Sequence, residues 1–199
     1  MSGRHRDSGG LSQWLYRVST GWVVLGAIAV FVVFSATVLP MAASDAEEYA
    51  NGAASPDTSF WYSAADLRQA ADAFGPEGRE AYVQARFTFD LVWPLVYGAF
   101  LATTLSWLLA RGLVPGSPWR RLNLLPIAVV AFDYAENVCT ALTIGRYPAE
   151  TAVLPYLAPL FTASKWALIT ASFLLIPIAG GLALRRRGGR AGRGPEHLD

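Results

Sequence analysis

The sequence has little charge, one cysteine and two histidines. Asp, Glu, Lys and Arg make up 16% of its 199 residues, whereas a soluble domain usually carries about a quarter. The net charge of +1 gives no reason to expect a polyanionic partner such as nucleic acid. The lone Cys139 excludes an intramolecular disulfide and a metal site of several cysteines. With 53% hydrophobic residues, this composition indicates a membrane protein.

Familiar catalytic motifs are missing as well. His5 and His197 lie close to the chain ends, so no histidine is available for a metal or haem site in the apolar stretches. The sequence contains no phosphate loop, serine hydrolase elbow or nucleotide fingerprint. We therefore expect no metal and no cofactor.

Four long apolar stretches are present, each near the roughly 20 residues that a helix needs to cross a bilayer. They cover residues 22–39, 90–110, 122–144 and 157–184, within a transmembrane domain over 22–184. Because a helix satisfies its own backbone in lipid, they predict an all-α, four-transmembrane-helix bundle. A cleaved signal is the alternative for the first stretch, but signal cores have only roughly 7–15 apolar residues, which favours an anchor.

Basic residues flank these stretches, and with four crossings they all fall on one side. They are Arg4, Arg6, Arg17, Arg111, Arg120, Arg121, Arg185, Arg186, Arg187, Arg190 and Arg193. The positive-inside rule makes that side cytoplasmic. We predict a multi-pass protein of the cytoplasmic (inner) membrane with both the N-terminal segment 1–21 and the basic tail 185–199 in the cytoplasm. The tail could also bind anionic membrane lipids.

The first external loop, residues 40–89, is the only connection long enough to fold. Its beginning, residues 41–57, has the Ala, Gly, Ser and acidic composition of a loop. The aromatic residues Phe60, Trp61 and Tyr62 suit either the lipid headgroup layer or packing of the loop onto the bundle.

A capping pattern follows these aromatic residues. Ser63 with Asp66 three residues later resembles a capping box, and Gly75 resembles a helix stop. The pattern predicts a short helix over Ala64 to Phe74. A second helix is then expected to begin at Pro76 and to continue through Asp90 into the second span.

One polar stripe interrupts the third apolar stretch; it consists of Asp133, Glu136, Asn137 and Thr140. Their spacing of i, i+3, i+4 and i+7 places them on one helix face. A charge near the bilayer centre costs about 2.5–3.5 kcal/mol on insertion scales, so the stripe should face the bundle interior. Counting residues along antiparallel spans brings Lys165 to the depth of Glu136. We predict an ion pair between them.

The second span adds Arg86, Asp90 and Tyr97 on one helix face. The polar groups of these spans include three carboxyls and two cations, and an excess carboxyl in a low-dielectric site tends to hold a proton or a cation. The candidate catalytic residues are Asp133, Glu136 and Lys165, and the candidate ligand-binding residues are Arg86, Asp90, Tyr97, Asn137 and Thr140.

Three functions remain open, and the sequence does not decide whether the protein is an enzyme. An outward-facing polar cavity could bind a lipid or lipophilic small molecule, with acid–base chemistry as the reaction for which residues are present. Alternatively, the charges only hold the helices together and the external loop docks a membrane-protein partner. Proton or cation translocation is the third, disfavoured because four helices form a narrow pore.

The runs FDLVWPLVYGAFL, FDYAEN and TASKW resemble a pattern of uncharacterised four-pass bacterial membrane proteins, which brings no named activity. The layout of one long and one short external loop is also similar to that of claudin-like proteins and to the helical core of quinone-linked thiol oxidoreductases. The paired cysteines of both groups are absent here. These two resemblances therefore imply architecture only.

Overall fold

The computed structural model of the chain describes residues 10–53, 56 and 59–191. The predicted N-terminal segment, external loop and basic tail therefore lie partly outside the described residues. The described part is helical and contains no strand. Its elements are α1 (Leu11–Val18), α2 (Gly21–Ala50), α3 (Ala64–Arg86), α4 (Phe89–Gly112), a 3-10 helix (Pro118–Leu124), α5 (Leu125–Gly145) and α6 (Leu154–Ala191).

Within the described residues, four helical segments are long and apolar enough to cross a membrane. They are Gly21–Ala50, Ala64–Gly112, Pro118–Gly145 and Leu154–Gly188. The prediction of an all-α protein with four apolar helices of spanning length is confirmed.

α5 occupies the middle of the bundle, packed against α3, α4 and α6, and α4 also packs on α6. We call one end of the bundle the basic end; there α1, the 3-10 helix, the end of α4 and the end of α6 meet. The opposite end, called the loop end, contains the end of α2, the whole of α3 and the connection between α5 and α6.

α2 lies at the edge of the bundle, against α3 and α4. Phe31 stacks on Trp93 and Phe100 of α4, with ring centroids 5.8 and 4.5 Å apart. Only Val24 and Ala50 of its thirty residues are buried. Residues 21–40 of α2 carry no charge and are little covered by protein, which favours a lipid environment for this part of the helix.

α2 also continues further than predicted. Residues 41–50, expected to be part of a loop, are helical, and the helix ends only at Asn51, which adopts a left-handed conformation. Alanine and glutamate favour helices in themselves, and the added turns gain packing: the ring of Tyr49 lies 5.9 Å from those of Phe74 and Tyr82. The loop prediction was wrong because its composition also suits an exposed helix.

The two halves of α3 begin and break as the capping pattern predicts. The Ser63 hydroxyl accepts the Asp66 N–H at 3.2 Å, and the Asp66 carboxylate accepts the Ser63 N–H at 2.8 Å. Gly75 has φ 66°, a backbone conformation that favours glycine, and the chain changes direction there. The capping box, the first half-helix and the break at Gly75 are confirmed.

The predicted continuity between this helix and the second span was wrong. α3 ends at Arg86 and α4 begins at Phe89. Between them the Thr88 hydroxyl donates to the Gln84 carbonyl at 2.8 Å. The backbone leaves the helical region at Thr88, which has φ −122° and ψ −82°.

Candidate functional site: a buried polar cluster

The core of the site is an ion pair between α5 and α6. The Lys165 Nζ lies 2.5 Å from Glu136 Oε2 and 3.5 Å from Asp133 Oδ1. Lys165 is 8% exposed and Glu136 is 1% exposed. The predicted Glu136–Lys165 ion pair is confirmed. One face of α5 thus supplies both carboxylates to a single lysine.

Asp133 is the point at which α4 joins this ion pair. Its carboxylate accepts a hydrogen bond from the Tyr97 hydroxyl of α4. The Asn137 side-chain amide, one turn along α5, donates to the other carboxylate oxygen at 3.4 Å. Asp133 therefore holds α4, α5 and α6 in one register.

A second ion pair extends the cluster toward α3. Arg86 Nε lies 2.9 Å from Asp90 Oδ2, across the break between α3 and α4. Arg86 also donates to the Asn137 side-chain oxygen at 3.5 Å, and its guanidinium lies 4.4 Å from the centre of the Tyr82 ring. Asn137 therefore connects the two ion pairs, since its amide group contacts Asp133 and its oxygen contacts Arg86.

Thr140 is the one predicted site residue whose hydroxyl is used within its own helix. It donates to the carbonyls of Glu136 and Asn137, at 3.1 and 3.3 Å. The structure brings together the other seven: Arg86, Asp90, Tyr97, Asp133, Glu136, Asn137 and Lys165.

Sequence reasoning missed the contribution of Tyr62. This side chain is buried, and its hydroxyl lies 3.5 Å from Glu136 Oε1 while accepting a hydrogen bond from Thr162 at 2.9 Å. Its neighbours Phe60 and Trp61 are 69% and 61% exposed. A tyrosine carries a hydroxyl that can contact a buried carboxylate. In the sequence, however, that hydroxyl alone did not show that Tyr62, and not Phe60 or Trp61, would be the buried residue.

Tyr62 also forms part of the wall of a cavity of about 400 Å³ at the loop end. The lining residues are Trp61, Tyr62, Ser63, Ala64, Ala65, Arg68, Tyr156 and Pro159. None of the charged residues of the cluster lines this cavity. The geometry therefore differs from a cavity lined directly by Glu136 and Lys165, because Tyr62 stands between the cavity and the ion pair.

An apolar layer closes the cluster on the side of the basic end. Leu101, Leu105 and Val129 are fully buried there, and Leu101 and Val129 pack in one apolar group with Tyr97. The polar cluster thus adjoins a cavity at the loop end and an apolar barrier in the opposite direction.

The connection between α5 and α6 is fixed over the loop end by Tyr147. Its hydroxyl donates to the Asp72 carboxylate of α3 at 2.9 Å, and this hydrogen bond raises the pKa of Tyr147. The Arg79 guanidinium lies 5.2 Å from the centre of the same ring. These contacts hold the connection between α5 and α6 against α3.

Comparisons with known proteins add no relative: no family model matches the sequence, and no curated protein or solved structure matches it either. Among residues 10–53, 56 and 59–191, no three His, Cys, Asp or Glu side chains come together as a metal site. The cluster and the cavity beside it are therefore the features of the molecule that bear on its function.

Proposed function

We propose that this chain is a multi-pass protein of the cytoplasmic membrane, with its basic end and both termini in the cytoplasm. Four helices have spanning length and composition, and α2 exposes apolar residues around its circumference. Arg17, Arg111, Arg120 and Arg121 all lie on helices that end or begin at the basic end. The positive-inside rule assigns such an end to the cytoplasm.

Within that membrane, the protein binds a lipid or amphipathic small molecule at its outward-facing loop end and exchanges a proton with it. The observation that carries this proposal is the position of Tyr62, which lines the cavity and reaches Glu136 with its hydroxyl. A ligand head in the cavity would contact Tyr62 directly, and one hydrogen bond would separate it from the buried carboxylate. The apolar part of the ligand would meet Trp61, Tyr156 and Pro159.

The charge balance of the cluster supports an acid–base role. Among the residues that the structure describes, Asp90, Asp133 and Glu136 contribute three carboxyls to the cluster, and Arg86 and Lys165 contribute two cations. In a low-dielectric interior an excess carboxyl holds a proton or a cation. Proton transfer between Glu136 and a ligand in the cavity requires only the Tyr62 hydroxyl, which lies between the two.

Access from one side favours ligand binding over translocation. A path for protons or cations through the bundle would have to cross the layer formed by Leu101, Leu105 and Val129, which are fully buried. These three side chains offer no polar atom to an ion, although Thr104 and Ser172 are also buried nearby on α4 and α6. We therefore assign exchange to the loop end alone.

The second candidate is a non-catalytic interaction protein. Phe60 and Trp61 are largely exposed at the loop end, where a membrane-protein partner could cover them. In that case the buried charges would fix helix register without taking part in function. Changes at Trp61 would then be the damaging ones, and changes at Glu136 would matter only through stability.

Native mass spectrometry of lipids that co-purify with the protein tests the first proposal. Ala65→Trp should fill the cavity and remove the bound ligand, whereas Gln69→Trp, on an exposed position of the same half-helix, should retain it. Glu136→Gln should also lose the ligand while leaving the bundle folded. An unchanged bound-lipid profile in both Ala65→Trp and Glu136→Gln would overturn the proposal.

Tyr62→Phe separates proton exchange from binding. It keeps the shape of the cavity wall and removes the hydroxyl that contacts Glu136. The variant should still co-purify with the ligand, but the amount bound should no longer vary with pH as it does in the wild type. Tyr16→Phe is the matched control, because the Tyr16 hydroxyl donates to the Arg120 carbonyl at the basic end, away from the cluster. Equal pH dependence in Tyr62→Phe and wild type would contradict the relay.

A further inference from the structure

A second cavity, of about 460 Å³, lies at the basic end of the bundle. Its lining residues are Pro118, Trp119, Arg121, Leu122, Leu124, Leu125 and Ala128. It begins on the 3-10 helix and follows the first turn of α5. Glu136 lies eight residues further along α5 than Ala128, about 12 Å at 1.5 Å per residue. This cavity is therefore separate from the one beside Tyr62.

The segment that forms the cavity is held in place by a buried hydrogen-bond network. Asn123 is fully buried; it accepts a hydrogen bond from the Ser12 hydroxyl at 2.7 Å and donates to the Ser12 carbonyl and the Ser106 hydroxyl, both at 3.1 Å. The Tyr16 hydroxyl also donates to the Arg120 carbonyl at 2.6 Å. The 3-10 helix is thus tied to both α1 and α4, so the cavity is preformed.

The two adjacent arginines of the 3-10 helix have different surroundings. The Arg120 guanidinium lies 4.5 Å from the centre of the Tyr16 ring. Arg121 is exposed and lines the cavity, and within the part of the chain that the structure describes no carboxylate pairs with it. Arg121 therefore offers its guanidinium to a group from outside the chain.

The rest of the cavity is apolar and runs along the bundle. Leu122, Leu125 and Ala128 continue the wall away from Arg121, over roughly 12 Å at the rises of a 3-10 helix and an α-helix. Trp119 is 65% exposed beside the arginine, and an indole of this kind suits the headgroup layer of a membrane. A cation at one end and an apolar trough at the other match an anion that carries a hydrocarbon chain.

We infer that this cavity binds one anionic phospholipid of the cytoplasmic leaflet. The phosphate meets Arg121, the Trp119 ring lies at headgroup level, and the first part of an acyl chain occupies the trough. The inference rests on the membrane orientation proposed above, because the basic end must face the leaflet rich in anionic lipid. It does not depend on ligand binding beside Tyr62.

The test uses the full chain in nanodiscs of phosphatidylcholine with a minority of phosphatidylglycerol, and counts retained phosphatidylglycerol by native mass spectrometry. Arg121→Gln should lower its retention about tenfold, the effect of losing a hydrogen bond to a charged group. Arg111→Gln is the matched control: it removes the same charge at the same end, but Arg111 stacks on Trp107, 3.7 Å from the ring centre, and donates to the Trp107 carbonyl at 3.0 Å. Retention in Arg111→Gln should stay well above that in Arg121→Gln, because Arg111 does not line the cavity and only its general attraction to the anionic surface is lost.

A second pair of variants tests the trough without changing charge. Ala128→Trp should fill it and displace the lipid, whereas Ile127→Trp, at the adjacent exposed position that does not line the cavity, should not. Equal losses in Arg121→Gln and Arg111→Gln would reduce the effect to general surface attraction and overturn the inference. Full retention in Ala128→Trp would overturn it as well.

The outcome of the phosphatidylglycerol test does not depend on whether the cavity beside Tyr62 binds a ligand. A protein that fails to enter nanodiscs would refute the membrane placement and the lipid site together. Insertion with normal phosphatidylglycerol retention in Glu136→Gln, and loss in Arg121→Gln, would support the lipid site whatever the loop-end cavity binds. Insertion without any difference between Arg121→Gln and Arg111→Gln would refute the lipid site alone.

Discussion

Two buried polar networks lie at opposite ends of the bundle, and they differ in charge. At the basic end the neutral Asn123 makes hydrogen bonds to Ser12 and Ser106. At the loop end the network is built from ions, with Lys165 between Glu136 and Asp133. A neutral amide with its partners present costs little to bury, whereas each buried ion carries a desolvation penalty of several kcal/mol. Helix packing explains the first network, and the higher cost of burying the second is the reason why we propose it as the functional site.

The largest effect is expected from Lys165→Met. The substitution leaves Glu136 and Asp133 buried without their lysine, and breaking one member of a buried pair typically costs about 3–5 kcal/mol. Combining it with Glu136→Leu should recover most of that loss, because packed apolar groups can replace a buried ion pair. Thermal unfolding in nanodiscs, followed by circular dichroism, measures both variants. A double variant as unstable as Lys165→Met would show that the remaining charges depend on the pair.

The same double variant decides between the two views of the charged network. If the charges serve ligand binding, the Lys165→Met/Glu136→Leu protein should be stable but free of co-purified ligand. If they serve only helix register, the bound-lipid profile should match that of the wild type. The second outcome would make the two networks equivalent and favour the interaction protein.

The neutral network should respond in stability alone. Asn123→Ala removes the partner of Ser12 and Ser106 and should cost about 1–3 kcal/mol, the usual penalty for unsatisfied buried polar groups. Because Asn123 lies at the opposite end from Tyr62, ligand bound at the loop end should be unaffected. Native mass spectrometry on the folded fraction checks this. Loss of the loop-end ligand in Asn123→Ala would show that the two ends are coupled.

The sequence predicted the helices well where one physical signal dominated. The apolar stretches have a composition that leaves few alternatives to long helices, and the Ser63–Asp66 pattern and Gly75 have direct backbone causes. The extension of α2 to Ala50 was missed because Ala, Ser and acidic residues suit both loops and exposed helices. The break between α3 and α4 was missed because no glycine, proline or capping pattern marks it in the sequence.

The site was predictable to the extent that helix periodicity determines it. Asp133, Glu136 and Asn137 share a face of α5 by spacing alone, and counting along antiparallel helices placed Lys165 opposite them. Tyr62 could not be found this way, since it reaches Glu136 from 74 positions away through the path of a connection. Periodicity specifies a face of a helix, but the position of a loop over that face is determined by tertiary packing.

The smallest effect is expected at the capping box, where an exposed charge meets the start of α3. The Ser63 N–H and hydroxyl hold the pKa of Asp66 below its ordinary value. The pKa of Asp66 is lower in the folded than in the unfolded protein, so the ionised carboxylate stabilises the fold at pH values above its ordinary pKa. This stabilisation is lost as the pH falls through the pKa of the folded state. Asp66→Asn should therefore loosen residues 64–74 at neutral pH and remove this pH dependence, while Gln69→Ala should leave it intact. Hydrogen exchange, corrected for intrinsic rates, measures both variants.

Because the cavity wall beside Tyr62 includes Ser63 and Ala64, loosening confined to this half-helix should weaken ligand retention without changing the Glu136–Lys165 pair. Loosening that spread into α5 and α6 would contradict the separation between the exposed cap and the buried charged network.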